Sequence, residues 1–480
     1  MKKVIFVVFM FVIFIFFSCS SSHSSTDSDV LPDSDDSETI VDDTDSEEGS
    51  DFIDDSDADS DVENPEEPND GIFEETEPIN GYARCYDKIP AGPYEGFFAD
   101  PNIEYWIKIS LDKDVDYELA EEDLKKVKEL NIYSKDIRGT EKLVNLKYLR
   151  ISGGNVYDFS PLLKLEKLKK IRIDGENMDC LDGSFSLLTT LETVEIDGTK
   201  FTDVSPVEQL ENLTSLDVND SQIEFLPKNI GNLQKLELLA FTHDNLKNID
   251  EIKSLTNLKR LFFHYNSVED ISPIKDLINL TRFGAQGNKI KDISAVTNLV
   301  NLTYLGLNEN LIEEIPKEIT NLKKLQTLEL NYNSISNLPD FKGLDSLDKM
   351  WLNNNALENE DLMKLDALEH VKFLYVALNK KITQIPVMKN LKSLQELYLN
   401  YNSITDLSGF ADNESFPALK SVYLGSNKIT DAEALRKREG LNRLSIGKNC
   451  IQDLSPLEEL KERETYISGM NEQLESCEDK

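Results

Sequence analysis

From about Val127 onward, apolar and polar positions recur in a pattern of 22 to 25 residues. The pattern reads L-x-x-L-x-L-x-x-N-x-I, where x is any residue, and the segment that begins at Leu302 matches it in full. Its second and third leucines lie two positions apart, which is the side-chain period of a β-strand, so both point inward. The residues between and beside them point outward. Each repeat is therefore predicted to contain one short strand with a buried and an exposed face.

Fifteen copies of the pattern follow one another, and a degenerate sixteenth lies around Thr465 and Ile467. One copy cannot bury its apolar side alone, whereas stacked copies share a continuous core. Repeats of this length and composition are the signature of a leucine-rich repeat solenoid. The predicted fold class is an α/β solenoid, a horseshoe with a parallel β-sheet on its concave face and short helical or 3-10 segments on its convex face. The copies begin at Val127, Leu146, Leu168, Leu191, Leu213, Leu236, Leu258, Leu280, Leu302, Leu325, Leu347, Val371, Leu394, Leu419 and Leu441.

The ninth position of the pattern divides the repeats into two groups. It is asparagine in nine successive copies, from Asn266 to Asn449. An asparagine side chain can bond backbone groups in a bend that the strand ladder does not reach. Earlier copies carry other residues there, such as Lys135 and Gly154, which cannot do this, and Asp244, which can do so only in part. We therefore expect the N-terminal third to be less regular.

Prolines predict the connections between strands. In pairs such as Ser160-Pro161 and Ser455-Pro456, the serine is expected to cap a short helical turn whose first residue is the proline. Pro316 instead follows an apolar residue and favours an extended segment. Short convex segments, many of them 3-10 helices, are expected.

The first 18 residues are predicted to be a signal peptide. Two lysines precede an unbroken apolar run of 14 residues, Val4 to Phe17, which is the length of a signal-peptide core. Cys19 follows a small residue and resembles the cysteine of a bacterial lipobox, although Phe16 departs from the usual leucine. The resemblance implies a lipoprotein anchored by lipidated Cys19 in the outer membrane or at the cell surface. Ordinary cleavage that discards Cys19 is the alternative.

Charge separates a second segment. The chain carries a formal net charge of −39, yet residues 20–80 hold 24 Asp and Glu and no Lys or Arg. Such a stretch cannot bury enough apolar surface to order itself, so residues 19–80 are predicted to be a lipidated cysteine followed by a disordered acidic tether. Its Asp-rich run around Asp57 lacks the glycine of a calcium loop, which favours a spacer. The overall acidity argues against a nucleic-acid partner.

Known catalytic motifs are absent from the sequence, which contains no H-E-x-x-H, G-x-S-x-G, Walker loop or C-x-x-C. We therefore predict a protein that is not an enzyme and has no cofactor. Neighbouring His243 and His264, with Asp244, could form a metal site, but exposed polar residues are the simpler interpretation and no metal is predicted. An acidic cluster on predicted concave positions either binds a basic partner or keeps the surface soluble. It consists of Asp174, Glu195, Asp197 and Asp217.

Four cysteines remain beyond Cys19, and an exported chain permits disulfides. Solenoid ends lie far apart, so the simplest pairing is local: Cys85 with Cys180 and Cys450 with Cys477. Free buried thiols are the alternative.

The strongest candidate binding site is an aromatic column on the exposed strand face. The fifth position reads Trp351, Tyr375, Tyr398 and Tyr423 in four successive repeats. Neighbouring strands lie about 4.8 Å apart, so these rings should form one contiguous strip. Aromatic residues are enriched at binding hot spots, although the β-propensity of rings that only pack on each other is an alternative. The predicted site also includes Lys349, Phe373 and Glu396.

The segment beginning Phe98-x-Asp100-Pro101-Asn102-Ile103 resembles the helical N-terminal cap of internalin-like leucine-rich repeat proteins, and the repeated Asp-x-Ser-Pro connections are similar too. The resemblance covers about residues 95–460. It implies an N-terminal cap at 81–126, repeats at 127–461 and a C-terminal cap or tail at 462–480. It also implies an exported, monomeric protein that binds a protein ligand on the concave face.

The predicted function is therefore a non-catalytic binding protein on the cell envelope, with a protein or glycan ligand and a lipid-mediated contact with the membrane. The alternative is a structural envelope protein that self-associates or packs with its neighbours. A single saturable partner would favour the first interpretation, and self-association at high local density would favour the second.

Overall fold

The computed structural model describes residues 92–436 and 438–477. The predictions for the signal peptide, Cys19, the acidic tether and Cys85 lie outside the described residues. Within them, sixteen parallel strands form one sheet in which every strand neighbours the next in sequence. The predicted leucine-rich repeat solenoid with a parallel sheet is confirmed.

The strands fall at the predicted position of each repeat. They are β1 Glu129–Tyr133, β2 Tyr148–Ser152, β3 Lys170–Asp174, β4 Thr193–Asp197, β5 Ser215–Asn219, β6 Leu238–Thr242, β7 Arg260–Phe262, β8 Arg282–Gly284, β9 Tyr304–Gly306, β10 Thr327–Glu329, β11 Lys349–Trp351, β12 Phe373–Tyr375, β13 Glu396–Tyr398, β14 Ser421–Tyr423, β15 Arg443–Ser445 and β16 Tyr466–Ser468.

Equivalent positions of successive repeats pair with each other, so each inward leucine stacks on the one before. Leu305 of β9 pairs with Leu328 of β10, and both are fully buried. Leu302 and Ile312, at the first and last positions of the same repeat, are buried as well. Each such side chain contributes about 1.5–3 kcal/mol before conformational entropy is subtracted. The core therefore runs without interruption along the solenoid.

The ninth-position asparagine satisfies the bend that follows each strand. In the repeat of β9, the amide nitrogen of Asn310 donates to the carbonyl oxygens of Ala285, Leu307 and Asn308. Its Oδ1 accepts from the backbone nitrogen of Ile290 in the preceding repeat at 3.0 Å. One buried side chain thus replaces strand hydrogen bonds in two successive repeats, as the sequence predicts.

The early and the later repeats differ in the length of their strands, whereas the lower regularity of the N-terminal third stays a prediction. Strands β1 to β6 are five residues long, whereas β7 to β16 are three residues long. In several of the later repeats, a side-chain acceptor at the seventh position takes the backbone N–H of the seventh residue in the next repeat. His264 Nδ1 does this for Gln286, and Asn308 Oδ1 does it for Asn331.

Convex connections are mostly short 3-10 helices. The aspartate two residues before the serine, and not the serine, caps the Ser-Pro turns: Asp158 Oδ1 accepts from the backbone nitrogen of Ser160 at 2.9 Å. The 3-10 helices are Thr140–Lys142, Ser160–Lys164, Gly183–Leu187, Ser205–Gln209, Ile230–Asn232, Asp250–Ser254, Ser272–Ile274, Ser294–Asn298, Lys317–Asn321, Ser408–Phe410 and Glu433–Leu435.

Four α-helices complete the described residues. Helices α1 and α2 precede β1, and the N-cap of α1 is Asp100, whose side chain accepts from the backbone nitrogen of Asn102 at 2.9 Å. Ile103 and Ile107 of α1 are fully buried and belong to the same core as the repeats. This helix therefore covers apolar surface that the first repeat would otherwise expose. The helices are α1 Pro101–Ser110, α2 Glu121–Leu124, α3 Asn359–Leu365 and α4 Ser455–Glu462.

Candidate functional site

The four aromatic residues of the predicted column lie on adjacent strands in register. Trp351, Tyr375, Tyr398 and Tyr423 pair in turn across β11 to β14. All four are half-buried and lie on the outward face, while the neighbouring Met350, for example, is fully buried. The sequence therefore predicted the side of the sheet correctly.

The rings stack face to face along the sheet. Their centroids are 4.9 Å apart between Trp351 and Tyr375, 4.3 Å between Tyr375 and Tyr398, and 4.1 Å between Tyr398 and Tyr423. The interplanar angles are 5°, 16° and 5°. Each inner face is thus covered by the next ring, and the column presents ring edges and hydroxyl groups to solvent.

The hydroxyl groups and flanking charges of the column interact with each other. The Tyr398 hydroxyl donates to Glu396 Oε2 at 2.7 Å. Burial, together with this hydrogen bond, raises the pKa of Tyr398 far above its usual range. Burial also raises the pKa of Tyr375. Both tyrosines are therefore neutral near physiological pH, and the single hydroxyl proton of Tyr398 is already donated to Glu396.

The other predicted site residues lie beside the column. The Lys349 ammonium sits 5.4 Å from the centroid of the Phe373 ring, a cation–π distance. A residue that sequence reasoning missed closes the far end: a hydrogen bond with the Tyr423 hydroxyl raises the pKa of Arg443. Arg443 stands at the third position of its repeat, as Lys349, Phe373 and Glu396 do, so reading the third position two repeats beyond Glu396 identifies it.

A second feature missed from the sequence is the seventh-position row, which consists of Asn353, Ala377, Asn400 and Gly425. These residues follow the column residues by two positions in the same four repeats. Asn353 Oδ1 accepts from the backbone nitrogen of Ala377 at 2.7 Å, and Asn400 Oδ1 accepts from that of Gly425 at 2.8 Å. These hydrogen bonds hold the asparagine side chains against the backbone. The row is therefore a shallow strip beside the large rings of the aromatic column.

The acidic cluster predicted in the early repeats is part of an ion-pair network. Arg150 binds Asp174 at 2.8 Å, Lys170 binds Glu195 at 2.6 Å, and Arg172 bridges towards Asp197 at 2.6 Å. These basic residues occupy neighbouring outward positions that a search for acids alone overlooks. Asp217 instead accepts from Asn219 Nδ2 at 2.7 Å, and burial raises its pKa. The cluster is internally paired, which favours the solubility interpretation over a basic partner.

The two neighbouring histidines have separate roles in the structure. The His243 ring stacks on Tyr265 at 4.4 Å, whereas His264 Nδ1 accepts from the backbone nitrogen of Gln286. Burial lowers the pKa of His264 to about 4, so it stays neutral. In the part of the chain that the structure describes, no three His, Cys, Asp or Glu side chains are grouped so as to hold a metal ion.

The cysteines of the described residues are disulfide-bonded. Cys450 and Cys477 form one bond, with their Cα atoms 5.8 Å apart. Cys180 is also disulfide-bonded. Its predicted partner, Cys85, lies outside the described residues.

No helix among the described residues combines the length and the apolar surface that crossing a bilayer requires.

Two family models match the chain. One, a leucine-rich repeat region, matches residues 277–408, and the other, leucine-rich repeats in two copies, matches residues 392–437. No curated protein sequence matches the chain.

Solved structures match over a longer part of the chain. An internalin from Listeria monocytogenes is 25% identical, covers 77% of this chain and 95% of its own, and gives a TM-score of 0.53. The functional domain of InlJ from the same organism, which includes a cysteine ladder, is 22% identical, with 77% and 79% covered and a TM-score of 0.62. A plant peptide hormone receptor in complex with RGF2 is 19% identical, with 70% and 61% covered and a TM-score of 0.54.

The repeat pattern, the single parallel sheet and these likenesses agree. The described residues form a leucine-rich repeat solenoid, and internalins are among the solved structures that this chain resembles.

Proposed function

We propose that this chain is a non-catalytic binding protein that recognises a protein ligand through its concave face, with the aromatic column as the centre of the site. The observation that carries the proposal is the column itself: four half-buried rings stacked in register outside the core. Leucine-rich repeat domains are generally non-catalytic scaffolds for binding, and the plant receptor was solved in complex with RGF2. Tyr and Trp in such a position are typical of binding hot spots.

The ring geometry favours a protein over a glycan. A sugar that stacks on an aromatic residue needs an uncovered ring face, and successive rings here cover each other at 4.1–4.9 Å. What remains is largely a row of ring edges and neutral hydroxyl groups. Ring edges carry partial positive charge and pair well with carbonyl oxygens and other rings, which protein surfaces supply.

The test compares partner capture by the full chain with that of Trp351→Ala combined with Tyr398→Ala. Affinity for a captured partner is expected to fall by about 2 kcal/mol or more, roughly 30-fold, if either ring is a hot spot. No core cavity opens, so the loss of stability should be limited to the three ring pairs that the two substitutions remove, each worth about 0.5–1.5 kcal/mol.

The matched control is Lys317→Ala with Glu318→Ala, an exposed pair on a convex 3-10 helix. It should change neither affinity nor stability. Unchanged affinity in the aromatic variant would contradict the proposed site. Concentration-dependent self-association without any other partner would instead support the structural alternative.

We further propose that the protein is displayed on the cell envelope through lipidated Cys19. The support is the apolar run that ends immediately before this cysteine. Cys19→Ala is expected to abolish incorporation of labelled fatty acid and to release the chain from the membrane fraction. Retention of the variant in that fraction, at the level of the parent, would refute the anchor.

A further inference from the structure

One repeat of the seventh-position row lacks the side-chain acceptor that the three repeats before it possess. In successive repeats, Asn308, Asn331 and Asn353 each accept the backbone N–H of the seventh residue in the next repeat, at 2.7–2.9 Å. Ala377 stands at this position in the following repeat and has no side-chain acceptor. Among the described residues, the N–H of Asn400 consequently has no hydrogen-bond partner.

The missing acceptor can be supplied from the concave side. In the repeats that carry asparagine at the seventh position, the acceptor is the oxygen of an outward side chain that bends back onto the sheet. A ligand oxygen that approaches over the half-exposed Ala377 reaches the same place from the same side. A backbone N–H that has lost its protein partner favours a ligand that offers a carbonyl oxygen.

Gly425 has no structural requirement for glycine. Its φ is not in the left-handed region, and an added Cβ would meet Asn400 Oδ1, Gly447 O and Ser445 Oγ only at 3.5–3.7 Å, which is ordinary van der Waals contact. Gly306, by contrast, is needed because a Cβ there would lie 2.4 Å from the Tyr304 hydroxyl. A glycine without such a reason is typical of a place where another backbone approaches closely.

Charge also distinguishes this part of the concave face. The fifth, seventh and eighth positions of the four repeats from β11 to β14 contain no charged residue, in a chain of which 29% is charged. The same twelve positions in the repeats of β2 to β5 contain seven charged residues. Along these positions the neutral surface complements the uncharged backbone of a polypeptide.

The eighth position borders the row. Tyr401 there has φ of 59° and is 55% exposed, and Leu378 has φ of 61°. A positive φ recurs at the eighth position of other repeats, for example at Tyr332 and Lys448, so it belongs to the bend that follows each strand.

We propose that the seventh-position row, between the aromatic column and the eighth position, binds an extended polypeptide segment that runs along the solenoid axis and places a backbone carbonyl on the N–H of Asn400. This inference rests on the proposed function and specifies its ligand. Four strands spaced about 4.8 Å apart span roughly 14 Å, which matches about four or five extended residues. The ligand residue that lies over Gly425 approaches the backbone of this chain most closely.

The test uses a phage-displayed library of random linear peptides selected against the full chain. The key variant is Ala377→Asn, which restores the acceptor present at Asn331, Asn353 and Asn400 and so keeps the fold. This variant should lower the affinity for the selected peptides at least tenfold without lowering the unfolding temperature of the protein. Gly425→Leu, which fills the row without displacing any atom near its Cβ, should do the same.

The matched control is Thr242→Asn, which places an asparagine at the seventh position of the repeat of β6, six repeats away. It should leave peptide affinity unchanged. Failure to select any linear peptide, or equal affinity for the Ala377→Asn variant, would overturn this inference. A partner whose binding depends on Trp351 and Tyr398 but not on Ala377 would leave the proposed function standing. A partner whose binding depends neither on Trp351 and Tyr398 nor on Ala377 would refute both the proposed binding site and this inference.

Discussion

At the scale of single residues, Asp244 shows what the ninth position requires. Its Oδ1 accepts from the backbone nitrogens of Ser221 and Ile223, as an asparagine oxygen would. Its Oδ2 is buried without a hydrogen-bond partner, whereas Asn266 at the equivalent place donates from its amide nitrogen to two carbonyl oxygens. Burial, with nearby Asp220, raises the pKa of Asp244 to about 7. An ionised carboxylate thus imitates only the accepting half of asparagine.

Asp244→Asn is therefore expected to stabilise the protein above pH 7, by about 1–3 kcal/mol, because it adds a donor and removes a buried charge. The raised pKa means that the native state binds more protons than the unfolded state, so the parent loses stability as pH rises from about 4 to 7. The variant should lack this loss in urea unfolding measured at several pH values. Glu224→Gln, at an exposed carboxylate, should follow the parent curve, and a parallel pH dependence in Asp244→Asn would contradict the assignment.

At the scale of the repeat, each asparagine joins two neighbouring bends through one side chain. Asn310 is 5% exposed and makes one accepting and three donating contacts. Asn301, at the end of the preceding repeat, makes two bonds in a solvent-accessible setting: its amide nitrogen donates to the carbonyl of Ile278 at 2.9 Å, and its Oδ1 accepts from Lys324 Nζ at 2.7 Å. The two residues have the same chemistry and differ in burial, which makes them a matched pair.

Asn310→Ala should lower the free energy of unfolding by about 2–4 kcal/mol, because it leaves buried carbonyl and N–H groups without partners that water cannot replace. Asn301→Ala should cost less than about 1 kcal/mol, since water can reach the groups it exposes. Equilibrium denaturation in urea gives both values. Similar losses for the two variants would show that burial does not set the importance of the asparagine ladder.

At the scale of the whole solenoid, stability depends on the ends because each repeat contacts only its neighbours. Helix α1 covers the first repeat, and at the other end α4, β16 and the bond between Cys450 and Cys477 close the last ones. The bond spans 27 residues, which corresponds to roughly 3 kcal/mol in the chain-entropy model.

Replacement of both cysteines, Cys450→Ser with Cys477→Ser, should therefore loosen one end only. Amide hydrogen exchange should become faster in β15 and β16 and remain unchanged in β7 to β10. The parent under reducing conditions should show the same faster exchange in β15 and β16. Faster exchange throughout the solenoid would mean that the repeats unfold as one unit and that the bond supports all of them.

The sequence by itself determined the repeat, the strand positions, the inward leucines and the side of the sheet on which Trp351 and Tyr398 lie. It could do so because a strand alternates its faces every two residues and a solenoid copies that pattern from each repeat to the next. The contacts between side chains of neighbouring repeats follow only from the folded structure. Parallel stacking of the rings, the pairing of Arg172 with acids of the next strand and the unpaired N–H of Asn400 beside Ala377 all depend on side-chain directions across a register that no single repeat contains.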